Sequence, residues 1–227
     1  MFYPAHRVVN SREQSLTDVM SHTVGVRQAQ KQKTRQALLD AALVLLEEQS
    51  LSSLGIREVT RAVGVAPTAF YRHFRSTADL GIALVEEALG SLHPLIESLL
   101  AEHDDSEQLI AHMVDLISAH VQDHPSHVRF LARERHGGVQ PVRAAMATQL
   151  QRFAEEVRVG LATQAESCGW GEDDLLMLSR LYVDHMVMTA SELVEAEPGT
   201  EEALKDTARR QMLVIHLGRA HWLDHRS

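Results

Sequence analysis

Leu38, Ala42, Leu45 and Leu46 recur at offsets of four, seven and eight, the apolar stripe of a helix, and predict one over 30–49. Residues 50–54 break that pattern. Ile56, Val59 and Val63 then mark a helix of about two turns closed by Gly64, a residue suited to a left-handed exit. Pro67 fits the first turn of a third helix, where its missing N–H costs nothing. Ser76 followed by Asp79 matches a capping box and opens a fourth helix through Leu80, Leu84 and Ala88, with a kink expected at Pro94 and an end at 104–106. Further helices are predicted over 106–122, 125–136, 140–166, 171–197 and 200–223, separated by Pro and Gly punctuation. No stretch alternates with the period of a strand, so the expected fold class is all-α. Residues 1–24 carry no sustained period and read as a disordered tail.

Length and composition narrow the class. A chain of 227 residues has ample length for a buried core. Its single cysteine, Cys168, excludes a disulfide framework, a thiolate zinc site and a CxxC redox pair. No apolar run approaches the roughly 18 residues of a membrane span, so no membrane partner is expected. Arg7 and Arg12 are followed by no apolar block, so the start does not read as a secretory signal and the expected location is cytoplasmic. GxSxG, P-loop, GxGxxG and HExxH patterns are all missing, and we expect neither an enzyme nor a cofactor.

Charge is unevenly distributed. Residues 25–75 hold eight basic and four acidic side chains, net +4, whereas residues 76–227 carry net −13. A basic head on an acidic body suits a polyanion at the head and something else at the body. Within the head, two short helices across Gly64–Val65–Ala66 form a helix-turn-helix pattern. Phe70 and Phe74, four apart, share one face, leaving Thr68, Tyr71, Arg72 and Arg75 largely on the other with His73 at the margin. These groups donate to phosphates or base edges, and Pro67 and Ala69 offer small apolar surface to a thymine methyl. Tyr71 and His73 taken singly would serve equally well as packing residues. Together with the turn and the charge they favour double-stranded DNA.

The run Gly64-Val65-Ala66-Pro67-Thr68-Ala69-Phe70-Tyr71-Arg72-His73-Phe74, with Asp79-Leu80 after it and Arg35, Leu38, Leu39, Ala41, Ala42 and Leu46 before it, resembles the TetR family of repressors. That resemblance implies a three-helix DNA-binding domain over 25–75 and a helical effector-binding and dimerisation domain over 76–227. It further implies a homodimer on a palindromic operator, relieved by a small molecule. Carried over by position, Pro67, Thr68, Ala69, Tyr71, Arg72 and His73 belong to the recognition helix, with Tyr71 and His73 most like phosphate contacts. Thr34, Arg35 and Arg57 are further phosphate candidates. Thr77 stands where a lysine is common, Thr60 where alanine is common, and Gly55 where a Ser or Thr usually caps the second helix.

The body resembles a narrower branch. Phe130-Leu131-Ala132-Arg133-Glu134-Arg135-His136-Gly137, with Gly25-Val26-Arg27 and the run from Ala66 to Phe74, is similar to the FabR-type and DesT-type regulators of unsaturated fatty-acid synthesis. The effector this implies is a long-chain acyl thioester, acyl-CoA or acyl-ACP. The alternatives are another hydrophobic small molecule, or a helical adaptor that binds no DNA. Arg129, Arg133 and Arg135 form a basic patch suited to phosphates. Phe130, Arg133, Arg135, Tyr182, His185 and Met186 are the ligand candidates, with Met177, Met188 and Met212 as adaptable lining. Each of these taken singly also reads as helix core or as the partner of a neighbouring acid. His120, His124 and His127 are spaced for a metal, but Pro125 ends the helix there and no metal site is expected. Leu175, Leu178, Tyr182, His185 and Thr189 on one helix, and Met212, Ile215, Leu217 and Trp222 on the next, are the expected dimer face.

Overall fold

The computed structural model describes residues 10–101, 106–163 and 169–222, with side chains from residue 27 onward except at 101, 106 and 220. Ten helices follow in order: α1 (Asn10–Leu45), α2 (Ile56–Val63), α3 (Pro67–Phe70), α4 (Thr77–Gly90), α5 (His93–Ala101), α6 (Ser106–Asp123), α7 (Pro125–Glu134), α8 (Gln140–Ala162), α9 (Glu172–Val194) and α10 (Glu201–His221). Among the described residues there is no strand, and the fold is all-α as the pattern predicted. None of the described helices is long and apolar enough to cross a membrane. Cys168 lies outside the described residues.

Local chemistry accounts for most boundaries. Gly64 takes φ 75° and donates its N–H to the carbonyls of Arg61 and Thr60, an exit that an L side chain would strain. Pro67 opens α3. The Ser76 hydroxyl accepts the Asp79 N–H at 3.1 Å, and the Asp79 carboxylate accepts the N–H of Arg75 at 3.0 Å, closing the cap from the other side. Gly55 occupies the N-cap of α2 in extended conformation without a side-chain bond, as a glycine must. Thr60 is buried, and its hydroxyl donates to the Ile56 carbonyl at 2.9 Å, so the extra polar atom is satisfied inside its own helix.

Four expectations are corrected. α1 begins at Asn10, so residues 10–24 are helical backbone rather than an unstructured tail. The second helix of the motif is regular only over Pro67–Phe70. Single-turn bonds from the His73 and Phe74 amides to the Phe70 carbonyl carry the chain onward. Pro94 does not kink α4, which ends at Gly90. The proline sits instead in the first turn of α5, where no N–H is needed. Finally, α7, α8 and α9 stop two to four residues short of their predicted ends.

One hydrophobic core joins head and body. Leu38, Leu39, Leu51, Val59, Phe70, Phe74, Leu80 and Leu84 pack in the same cluster as Phe130, Val142, Met146 and Phe153. In the body, α8 lies along α9 and α4, while α6 packs on α9 and α10. The expected dimer face is corrected in part, since only Leu217 and Trp222 of its members are exposed. Leu175, Leu178, His185, Thr189 and Met212 are buried within the chain itself. Among the described residues, the large apolar side chains that α9 and α10 expose are Met177, Leu181, Met188, Val214 and Leu217.

Candidate functional site

Two sites emerge, one on the head and one inside the body. On the head, Phe70 and Phe74 are buried with ring centroids 5.5 Å apart, and they anchor the segment from behind. Tyr71 is 60% exposed, with Pro67, Thr68 and Arg72 also exposed, so the phenol, hydroxyl and guanidinium all face outward. Ala69 and His73 are half-buried. The Arg35 guanidinium of α1 lies 5.2 Å from the Phe74 ring centroid, a cation–π contact that brings α1 to the same surface. Burial first, then the charges of Lys31, Arg35 and Arg72, hold the His73 imidazole below its ordinary pKa. Lys31, Arg35 and Arg72 are therefore one electropositive group around His73. Sequence reasoning did not single out Lys31, although it lies one helical turn before Arg35. The Thr34 hydroxyl donates to the Gln30 carbonyl at 3.0 Å, leaving only its acceptor side for an outside donor. Arg57 is exposed and Thr77 half-buried at the starts of α2 and α4.

Inside the body lies a cavity of about 510 Å³, within the range of small-molecule sites. α4 to α10 all contribute to its wall, mainly through Leu, Ile, Val and Met side chains. Of the ligand candidates, Tyr182, Met186 and Arg135 line it. Arg135 also pairs with Asp184 at 2.9 Å.

The other candidates are placed elsewhere. Phe130 is 2% exposed in the core shared with the head. Arg133 points the opposite way from the cavity, donating to the Leu46, Gln49 and Glu47 carbonyls at 2.6, 3.1 and 3.1 Å. Those are carbonyls at the end of α1 and just beyond it, where a helix leaves its acceptors unfilled. Arg129 lies 3.9 Å from Glu47. The basic patch expected from 129, 133 and 135 is thus divided between two faces of α7. His185 is buried without lining the cavity. Met177 and Met188 are exposed and Met212 is core, so Met113, Met146 and Met186 are the methionines of the wall. His120, weighed in the sequence only as a metal ligand, also lines it, as do His216 and Arg219, to which no motif in the sequence pointed.

The histidine cluster does not converge on a metal. His120 and His124 have ring centroids 4.8 Å apart, but His124 is exposed at the N-cap of α7. Among the described residues no three His, Cys, Asp or Glu side chains are arranged to hold an ion. Burial holds His120 and His127 below their ordinary pKa.

Residues 38–84, from α1 into α4, match the family model described as bacterial regulatory proteins, tetR family. Solved structures share the fold over most of the chain. FadR from Bacillus subtilis, a transcriptional regulator in complex with stearoyl-CoA, is 15% identical with a TM-score of 0.63, over 77% of this chain and 95% of that one. The fatty acid degradation regulator FadR from Bacillus halodurans gives 16% and 0.64 over 82% and 94%. NalD from Pseudomonas aeruginosa, the secondary repressor of the MexAB-OprM multidrug efflux pump, gives 21% and 0.57 over 80% and 96%. At these identities the likeness is one of fold. Matched segment and fold together define the class, a TetR-type DNA-binding regulator with an N-terminal helix-turn-helix domain and a C-terminal helical domain. Regulators of this class are DNA-binding proteins rather than enzymes.

Proposed function

We propose that this chain is a cytoplasmic homodimeric repressor that answers to long-chain acyl thioesters and controls unsaturated fatty-acid synthesis. Residues 25–75 would bind the operator and residues 76–227 the effector and the second copy. The observation that carries the reading is the pairing of an outward Thr68–Tyr71–Arg72 surface, anchored by Phe70 and Phe74, with an apolar cavity bounded by the helix that supports that surface. Pro67, Thr68 and Ala69 would meet base edges; Thr34, Arg35, Arg57, Tyr71, Arg72, His73 and Thr77 would meet phosphates and sugars. Met177, Leu181 and Met188 on α9, with Val214 and Leu217 on α10, supply the apolar surface for a four-helix dimer. Two-fold symmetry would then set the recognition helices roughly 34 Å apart, one turn of DNA.

A flexible, methionine-containing wall suits a long chain whose shape varies with unsaturation, and a structure of the same fold, FadR from B. subtilis, is in complex with stearoyl-CoA. The test is a gel shift on the gene's own upstream DNA, with saturated and unsaturated acyl-CoA added in turn. Operator affinity should change with one saturation class more than the other. An unchanged affinity with every acyl species, but a shift with unrelated hydrophobes, would move the effector to another chemical class. Absence of salt-sensitive binding to any duplex would leave a helical adaptor.

A further inference from the structure

A second concavity, of about 490 Å³, lies beside the first, formed by the end of α7 with α8 and α9. Arg135, Met146, Leu150 and Val183 line both spaces, so the wall between them there consists of those side chains. The two spaces are opposite in character. The first is walled mainly by Leu, Ile, Val and Met. The second is bordered by Arg135, His136, Arg143 and Arg180, and among the described lining residues Asp184 is its one carboxylate. Three guanidinium groups against one acid give it net +2, on a body of net −13. Asp184 holds the Arg135 guanidinium at 2.9 Å, on the border between the spaces. Arg143, in the first turn of α8, is half-buried and donates to the Gly137 carbonyl. His136 and Arg180 are exposed, so the groove opens to water.

Gathering like charges costs Coulomb energy, and a bound polyanion offsets that cost. An apolar space that adjoins a cationic one fits an amphiphile with an anionic head. A free fatty acid places its single charge next to the chain. A pantetheine thioester carries phosphate at the far end of a long arm, and arginine forks match phosphate oxygens with paired hydrogen bonds. We propose that the groove between α8 and α9 holds the phosphate end of an acyl-pantetheine thioester. Arg143 and Arg180 are the phosphate-binding pair, Arg135 stands at the threshold, and the acyl chain lies beyond it in the apolar cavity. The proposal deepens the thioester reading of the effector and rests on it. Arg129 and Arg133, on the side of α7 that meets the head, take no part. Coenzyme A and the prosthetic arm of an acyl carrier protein share this chemistry, and the experiment separates them.

The experiment is isothermal calorimetry on the full-length protein with palmitoyl-CoA, palmitoyl-phosphopantetheine and palmitoyl-pantetheine, each below its micelle concentration. Wild type should bind palmitoyl-CoA about tenfold more tightly than palmitoyl-pantetheine, the value of charge-assisted hydrogen bonds to phosphate. Arg180→Gln should lower that preference by about threefold, and adding Arg143→Gln should bring the two ligands within about twofold. If palmitoyl-phosphopantetheine matches palmitoyl-CoA, the site reads the phosphate that the carrier-protein arm also bears. If it binds only as palmitoyl-pantetheine does, the site reads the nucleotide phosphates and is specific to coenzyme A. If the double variant does not fold, Arg180→Gln carries the test, and an undiminished preference there overturns the site. Equal binding of palmitoyl-CoA and palmitoyl-pantetheine by wild type also overturns it, while leaving the cavity as the acyl site. Binding of none of the three overturns the acyl reading itself, and the phosphate site with it.

Discussion

The Glu134 carboxylate of α7 accepts the backbone N–H of Leu51 at 2.8 Å, across eighty-three positions of sequence. Both residues are 1% exposed. The bond fastens α7 to the turn that follows α1, beside the Arg133 contacts and a 2.6 Å bond from Ser126 to Glu47. The opposite face of α7 presents Val128, Leu131, Ala132 and Arg135 to the cavity. A single ten-residue helix therefore touches both the cavity and the support of the outward helix-turn-helix surface. A ligand that binds two positions of α7 unequally shifts the head by that difference in affinity, typically about 1–3 kcal/mol.

Glu134→Ala should lower stability by about 1–3 kcal/mol, because it leaves the Leu51 amide buried with nothing to accept it. Glu134→Gln retains an acceptor oxygen and should cost less than half as much. Urea unfolding followed by circular dichroism measures both, and an alanine variant as stable as wild type would mean that the bond contributes nothing.

Arg133→Met keeps an unbranched apolar stem and removes three hydrogen bonds to carbonyls. The expected loss is about 1 kcal/mol, since the site is partly solvated. The larger effect should be on communication. The ratio of operator affinities with and without palmitoyl-CoA should fall about threefold, while affinity for palmitoyl-CoA itself stays within twofold.

At the head, Tyr71→Phe should weaken binding to operator and random duplex alike, by about fivefold, the value of one lost hydrogen bond. Thr68→Val should weaken the operator selectively. Fluorescence anisotropy on both duplexes separates the two, and equal losses for Thr68→Val would remove it from base recognition.

His73 yields a pH dependence. Its imidazole is held below the ordinary value by burial and by Lys31, Arg35 and Arg72, so the free protein keeps it neutral at pH 7. Its contribution to stability is accordingly present above the ordinary imidazole pKa and is lost as pH falls through the lowered one. DNA phosphates favour the charged form, so binding takes up a proton and operator affinity should rise between about pH 7.5 and about pH 6. His73→Gln should flatten that rise.

Gly81→Ala tests the seam between head and body. A Cβ there would overlap Leu51 and come within 2.8 Å of Val142 Cγ2. Overpacking of this kind costs about 1–3 kcal/mol. Thermal melting should show the loss, and Leu51→Ala in the same chain should recover part of it by opening the space.

The sequence by itself determined the helices, their breaks and the DNA-facing segment. Those features arise from interactions within a few residues: the Gly64 exit, the Ser76 cap, Pro67 and Pro125 at helix starts, and Phe70 and Phe74 one turn apart. The reach of α1 back to Asn10 escaped that reading, because its extra turns carry no apolar stripe of their own. Only the tertiary structure decided which way each body helix turns. Phe130, Arg133 and Glu134 went to the head, Arg135 to the cavity, and Leu178, His185 and Met212 to the interior instead of the outer face. α9 carries apolar residues on more than one side, so periodicity locates the helix without its rotation. Rotation is set by the neighbours it packs against, and the same packing draws Arg219 into an apolar space, a placement no local pattern encodes.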